Sequence, residues 1–158
     1  MSAFLTTLDE RLVDPWANDG TGHWQLLAPF RYRSSRLKKV VEIPFGFVYD
    51  HASVPRIPGV YAMFGNRYHR PACIHDYLCR YGHVRREIAD LVFLEAMRLQ
   101  NTEEIENMRD SGEDDDAILD RKMALEGRAR AMYAAVALYT KSGVWRTEVH
   151  KKGFEPLG

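Results

Sequence analysis

Ala72-Cys73-Ile74-His75-Asp76-Tyr77-Leu78 sets an imidazole beside a carboxylate in a run that otherwise reads as a buried helix. A helix turns about 100° per residue, so His75 and Asp76 reach one small volume from neighbouring angles. Fourteen residues past Asp76, Ala89-Asp90-Leu91 places a second acid in an apolar helical run. Upstream, Tyr49-Asp50-His51-Ala52-Ser53-Val54-Pro55-Arg56 closes a strand-like stretch with more polar chemistry. Burying ionisable groups costs free energy unless each finds a partner. One histidine among three carboxylates suits a divalent ion, or a His base beside an Asp that holds the ion. An Asp that accepts the proton of one imidazole nitrogen fixes the tautomer and leaves the other nitrogen as base or ligand. The residues expected to do chemistry are therefore His75, Asp76 and Asp90, with Asp50 and Asp76 as metal ligands. His51, Ser53 and Arg56 are the expected loop or substrate contacts.

Bland readings stand beside these. Asp90 could cap a loop or bond a core tyrosine, Ser53 could be a turn residue, and Arg56 could pair with Asp50. No G-x-S-x-G surrounds Ser53, so it is not in a nucleophile elbow. His69 and His83 read as surface histidines, and Cys73 and Cys79 as small buried residues.

Three helices and a strand-rich first half must position these groups. The runs 24–32 and 40–49 are aromatic and branched and read as two antiparallel strands, with Pro44 and Gly46 marking an edge or bulge. Residues 1–22 form an N-terminal arm or hairpin, with a turn over Asn18-Asp19-Gly20-Thr21-Gly22. Helices are expected over 70–81, 85–100 and 114–141. Pro71 suits the first turn, Gly82 the stop, and Asp114, Asp115 and Asp116 the positive end of the third dipole. A short turn at Gly82-His83-Val84 makes the first two helices an antiparallel pair. Phe93, Leu94 and Met97 share the face of Asp90, which carries that acid back toward His75. The acidic stretch 101–116 reads as a solvated connector. The fold class is α+β: a small antiparallel sheet from the N-terminal half, packed against three helices.

Composition narrows the function class. At 158 residues the chain reads as one domain, 1–158, able to bury a core without disulfides. Its 22 basic and 22 acidic residues cancel, against a broad nucleic-acid footprint. No stretch is long and apolar enough for a transmembrane helix, and the start lacks the pattern of a signal peptide. Cys73 and Cys79 lie too far apart on one helix for a disulfide, so both are expected reduced, in a chain made in a cytoplasm.

Phe47-x-x-Asp50-x-Ala52-Ser53-Val54-Pro55-Arg56, then Ile74-His75-Asp76-Tyr77-Leu78, then Ala89-Asp90-x-x-Phe93 together resemble a phage and prophage family. It is domain-of-unknown-function family thirteen fifty-three. The resemblance covers about residues 44–97 and implies motif positions at Asp50, Ser53, His75, Asp76 and Asp90, a phage or prophage source, and no settled activity. His51 stands where a small residue is expected. More loosely, His75-Asp76 with a distant Asp90 is similar to the site of secreted phospholipases A2. There the His activates water, the adjacent Asp binds calcium and the distant Asp orients the His. Their disulfide framework and glycine-rich calcium loop are missing here. HD-type phosphohydrolases share the dipeptide but are all-helical.

Two functions follow as expectations. One is a metal-assisted phage hydrolase of an ester, a cell-wall amide or a phosphodiester, using calcium, magnesium or zinc. The other is a non-enzymatic virion, tail or assembly protein in which the cluster is a structural hydrogen-bond network. The expected partners are virion proteins or a small or cell-envelope substrate. The expected location is the host cytoplasm during synthesis, and then the virion. Oligomeric state is open.

Overall fold

Two prolines shape the first half of the chain. Pro29 and Pro44 carry no N–H, so neither of the runs 24–32 and 40–49 stays one straight strand. In the computed structural model, which describes residues 1–16, 22–49 and 67–143, each run divides in two. The first gives β3 (His23–Leu26) and β4 (Phe30–Ser34), the second β5 (Lys39–Ile43) and β6 (Val48–Tyr49). The pairing is antiparallel, as expected, and its register survives the bend: Phe30 faces Ile43, and Trp24 faces Tyr49. Backbone bonds bridge the corner, Leu26 N to Phe47 O at 3.0 Å and Gly46 N to Leu26 O at 2.9 Å.

The single expected sheet is thus two, because the bent ribbon gains a different partner at each end. β1 (Ala3–Phe4) pairs with β4, giving the order β1-β4-β5. β2 (Glu10–Asp14) pairs with β3, giving β2-β3-β6. The expected N-terminal arm or hairpin over 1–22 supplies β1 and β2, each paired with a later strand, and its expected turn over 18–22 lies, apart from Gly22, outside the described residues. Along β4 the side chains alternate, with Phe30, Tyr32 and Ser34 buried and Arg31 and Arg33 exposed, which is the strand period of two against a one-sided core.

The helices are α1 (His69–Tyr81), α2 (Arg86–Asp110) and α3 (Asp115–Ser142). Gly82 ends α1 through close packing: a Cβ there would meet the Leu78 backbone at 2.7 Å. The positive φ, 51°, falls on the next residue, His83. Asp114 caps α3, its carboxylate accepting from the amides of Asp116 and Ala117 at 3.2 and 3.3 Å. α1 and α2 run antiparallel: Arg70 near the start of α1 bonds Glu103 at 2.6 Å, while His75 farther on meets Asp90.

One expectation fails between α2 and α3. The proposed acidic connector over 101–116 is helical to Asp110, and only residues 111–114 link the helices. Two of its acids bind arginines. Glu103 bonds Arg70, and Glu104 takes Arg67 and Arg121, while Asn101 and Ile105 turn inward. Asn101 accepts from the Tyr68 hydroxyl at 3.0 Å and donates to the Leu125 carbonyl at 3.1 Å, tying all three helices together.

The core is layered. Sheet residues Phe30, Tyr32, Ile43 and Tyr49 pack on Ile74 and Leu78 of α1 and Val92 of α2. On the far side, Phe93 and Met97 of α2 meet Ala129, Met132 and Val136 of α3. Each large side chain enclosed in this way contributes roughly 1.5–3 kcal/mol. His75 lies at the seam, its ring 5.0 Å from that of Phe93.

Candidate functional site

Helical spacing gives α1 two polar stripes. His75 and Cys79, one turn apart, face α2. His69, Cys73, Asp76 and Arg80 follow one another at intervals of three and four toward β2, β3 and β6.

On the first stripe the expected bond is present. His75 Nε2 lies 2.7 Å from Asp90 Oδ1, with both side chains almost wholly enclosed, at 1% and 2% exposure. An ionised carboxylate only accepts, so Nε2 carries the proton and donates it. Nδ1 of the same ring and Oδ2 of Asp90 are buried with no hydrogen-bond partner among the described residues. The Cys79 sulfur is 3.5 Å from Nε2, on the side of the ring already held by Asp90. A Cys–His–Asp relay needs the sulfur and the acid on opposite nitrogens, so this arrangement is not one. Burial alone would push the His75 pKa down. Cys79 and the Asp90 hydrogen bond and charge outweigh it and push it up to about 10.

On the second stripe Asp76 accepts from Arg80 at 2.9 Å, and the same guanidinium donates to the Val48 carbonyl at 2.8 Å. The guanidinium therefore ties α1 to β6 immediately before Asp50. Glu10 of β2 takes the Tyr49 hydroxyl on one oxygen and lies 2.9 Å from His69 Nδ1 on the other. Burial first, then the charges of Asp76 and Glu10, raise the Cys73 thiol well above the usual range, so it behaves as an inert core residue. Both cysteines are free, as expected. Burial, with Cys73 and Glu10, likewise lifts the Tyr49 hydroxyl far above the usual phenol range.

Of the expected site residues, the structure joins His75 to Asp90 and sets Asp76 on the adjacent face, bound to Arg80. Asp50, His51, Ser53 and Arg56 lie outside the described residues. Among the described residues, no group of three His, Cys, Asp or Glu side chains converges as a metal cage. Those residues alone do not fit a divalent ion, since Asp76 is bound to a guanidinium. Sequence reasoning missed Arg80, Cys79 and the Glu10–His69 contact. The first two carried a signal, each lying four residues beyond a residue already singled out. Glu10 gave none, because its approach to His69 depends on how β2 joins the sheet.

The described residues contain no helix long and apolar enough to cross a membrane. The family model described as protein of unknown function (DUF1353) matches residues 24–109, more than half of the chain. No curated protein and no solved structure matches. The chain belongs to the DUF1353 family.

Proposed function

We propose that this DUF1353 member is a small hydrolase in which His75 is the general base and Asp90 its orienting partner. One observation carries the reading: Nε2 is held by Asp90 at 2.7 Å, while Nδ1 is buried with no partner among the described residues. A histidine kept only for structure would be expected to satisfy both nitrogens, because an unbonded buried polar atom costs about 1–3 kcal/mol. A base needs the opposite arrangement, one nitrogen anchored and one with its lone pair exposed to a reactant.

In the neutral ring, Asp90 selects the tautomer with hydrogen on Nε2, leaving Nδ1 to take a proton from water as that water attacks an acyl or phosphoryl centre. The ring then becomes imidazolium, which the Asp90 carboxylate stabilises. The His75–Asp90 pair is similar to the pair in the ester-cleaving arrangement, while Asp76, bound to Arg80, departs from it; on the pair alone, esters are the first substrate class to test, ahead of cell-wall amides and phosphodiesters. A divalent ion such as calcium, magnesium or zinc would call on Asp76 and Asp50. The step above draws on neither. His51, Ser53 and Arg56, which follow Asp50 in the sequence, are the proposed substrate contacts. A phage or prophage source, with synthesis in the host cytoplasm, belongs to the same proposal.

The test is a panel of carboxylic esters, peptidoglycan and an activated phosphodiester, offered to wild type and His75→Ala between about pH 7 and 10. Hydrolysis that vanishes in the variant supports the reading. Equal turnover by both proteins, or none by either, overturns it.

A second reading has its own observation. His75 is enclosed at 1% exposure, as befits an internal tie in a virion or assembly protein. In that case His75→Ala lowers the melting midpoint sharply and no substrate is turned over.

A further inference from the structure

α3 has a face that the described residues leave uncovered. Ile118, Leu125, Ala129, Met132 and Val136 form its buried side. On the opposite side Leu119, Met123 and Leu138 stand 54%, 67% and 63% exposed, with Gly127 and Ala134 exposed between them. Helical spacing puts Met123, Gly127, Arg130, Ala134 and Leu138 on one stripe, which at 1.5 Å per residue runs about 22 Å; the one charged residue among these, Arg130, is paired with Glu126 of its own helix at 2.7 Å. Exposed apolar side chains arranged in a row differ from the scattered ones any surface carries.

Gly127 sharpens the case. A glycine inside a helix costs about 1 kcal/mol relative to alanine, and here a Cβ would meet nothing within 4 Å. Nothing described within the chain therefore calls for a glycine. A second helix approaching closely at this point does.

We infer that the occupant is a second copy of this chain, its α3 lying antiparallel across the first. The charges of the helix are complementary to themselves in that direction. The stripe begins at Asp116, beside Asp115, and ends at Lys141, all exposed. With the two-fold axis between Arg128 and Ala129, Asp116 meets the second copy's Lys141, Leu119 meets its Leu138, Met123 meets its Ala134, and Gly127 makes room for its Arg130. A parallel pair would set acid against acid and base against base. The small residues let the backbones approach while the larger ones fill the ends, giving one patch that serves both subunits as a two-fold interface requires.

Sedimentation velocity on the full chain at low salt, from about 1 to 200 μM, tests this. The expected result is a concentration-dependent shift from the 18.3 kDa monomer to twice that mass. Gly127→Leu and Met123→Lys each weaken the dimer at least about tenfold, which is about 1.4 kcal/mol. Their side chains project into open space, so thermal melts of the diluted monomers stay at the wild-type midpoint or rise. Lys141→Asp weakens the dimer, and adding Asp116→Lys to it restores association. A chain that stays monomeric at every concentration overturns the inference. So does a dimer indifferent to Gly127→Leu, or one that the charge exchange fails to restore.

Discussion

Replacing Asp90 with Asn removes one charge from the centre of the molecule while keeping its shape, and the loss should depend on pH in a specific way. The folded His75 pKa is pushed up to about 10 from the ordinary 6.5. The native state thus binds a proton more tightly than the unfolded chain does. Its contribution is fully present below pH 6.5 and is lost as pH rises toward 10. A shift of that size corresponds to roughly 4 kcal/mol at pH 7 and roughly 5 kcal/mol below pH 6.5. Asp90 shares it with Cys79, and Asn can still accept from Nε2, so Asp90→Asn should cost roughly 2–4 kcal/mol near pH 6. For a chain of this length that is roughly 5–15 °C in melting midpoint. The assay is urea unfolding of both proteins between about pH 6 and 10, taking the difference so that other titrating groups cancel. The wild-type advantage should shrink steadily across that range. A difference that stays constant, or one below about 1 kcal/mol at pH 6, would refute the assignment of a charged His75–Asp90 pair.

Three further outcomes follow. If only the neutral ring of His75 acts as base, kcat/KM should rise about tenfold per pH unit to a plateau near pH 10; Cys79→Ala, which removes one cause of the raised pKa, should move that limb to lower pH. Asn101→Ala strands the Tyr68 hydroxyl and removes the second donor to the Leu125 carbonyl, and should cost roughly 1–3 kcal/mol in a denaturant titration, with no change in the pH profile. Arg80→Gln releases Asp76 and the Val48 carbonyl; if Asp76 is a metal ligand, calcium, magnesium or zinc should raise the variant's melting midpoint more than the wild type's, which differential scanning fluorimetry reads directly.

What the sequence made legible was whatever local periodicity controls. The spacing of apolar residues around Asp90, with the short turn at Gly82, was enough to bring the acid to His75, because helix phase and antiparallel packing leave it little alternative. The three helices follow from the same logic, and so does the register of the strand ribbon, which is set by the alternation of Phe30, Tyr32, Val41 and Ile43. What escaped depended on tertiary partners. Acidic composition over 101–116 suggested solvated chain, yet Arg67, Arg70 and Arg121 neutralise Glu103 and Glu104 and keep the helix running. The division into two sheets arose from a corner at Pro29 and Pro44; Pro44 reads in the sequence only as an edge or bulge, and strand propensity does not register Pro29. Glu10 reaches the site region only through the pairing of β2 with β3, a contact between distant parts of the chain.

The central claim is that His75 Nδ1, buried without a hydrogen-bond partner among the described residues, is the basic nitrogen that a reactant must reach. It can be tested without knowing the substrate, by exposing the folded protein to a phenacyl bromide and mapping adducts by peptide mass spectrometry from about pH 7 to 10. Alkylation takes place at an unprotonated nitrogen that the reagent can reach. Alongside adducts on more exposed histidines and on Cys79, the account predicts an adduct on His75 whose rate climbs with pH as the ring deprotonates, with loss of any hydrolytic activity in step with that adduct alone. Modification of His23, His69 or His83 with His75 untouched throughout that range would contradict it, and would leave the pair with Asp90 as an internal tie.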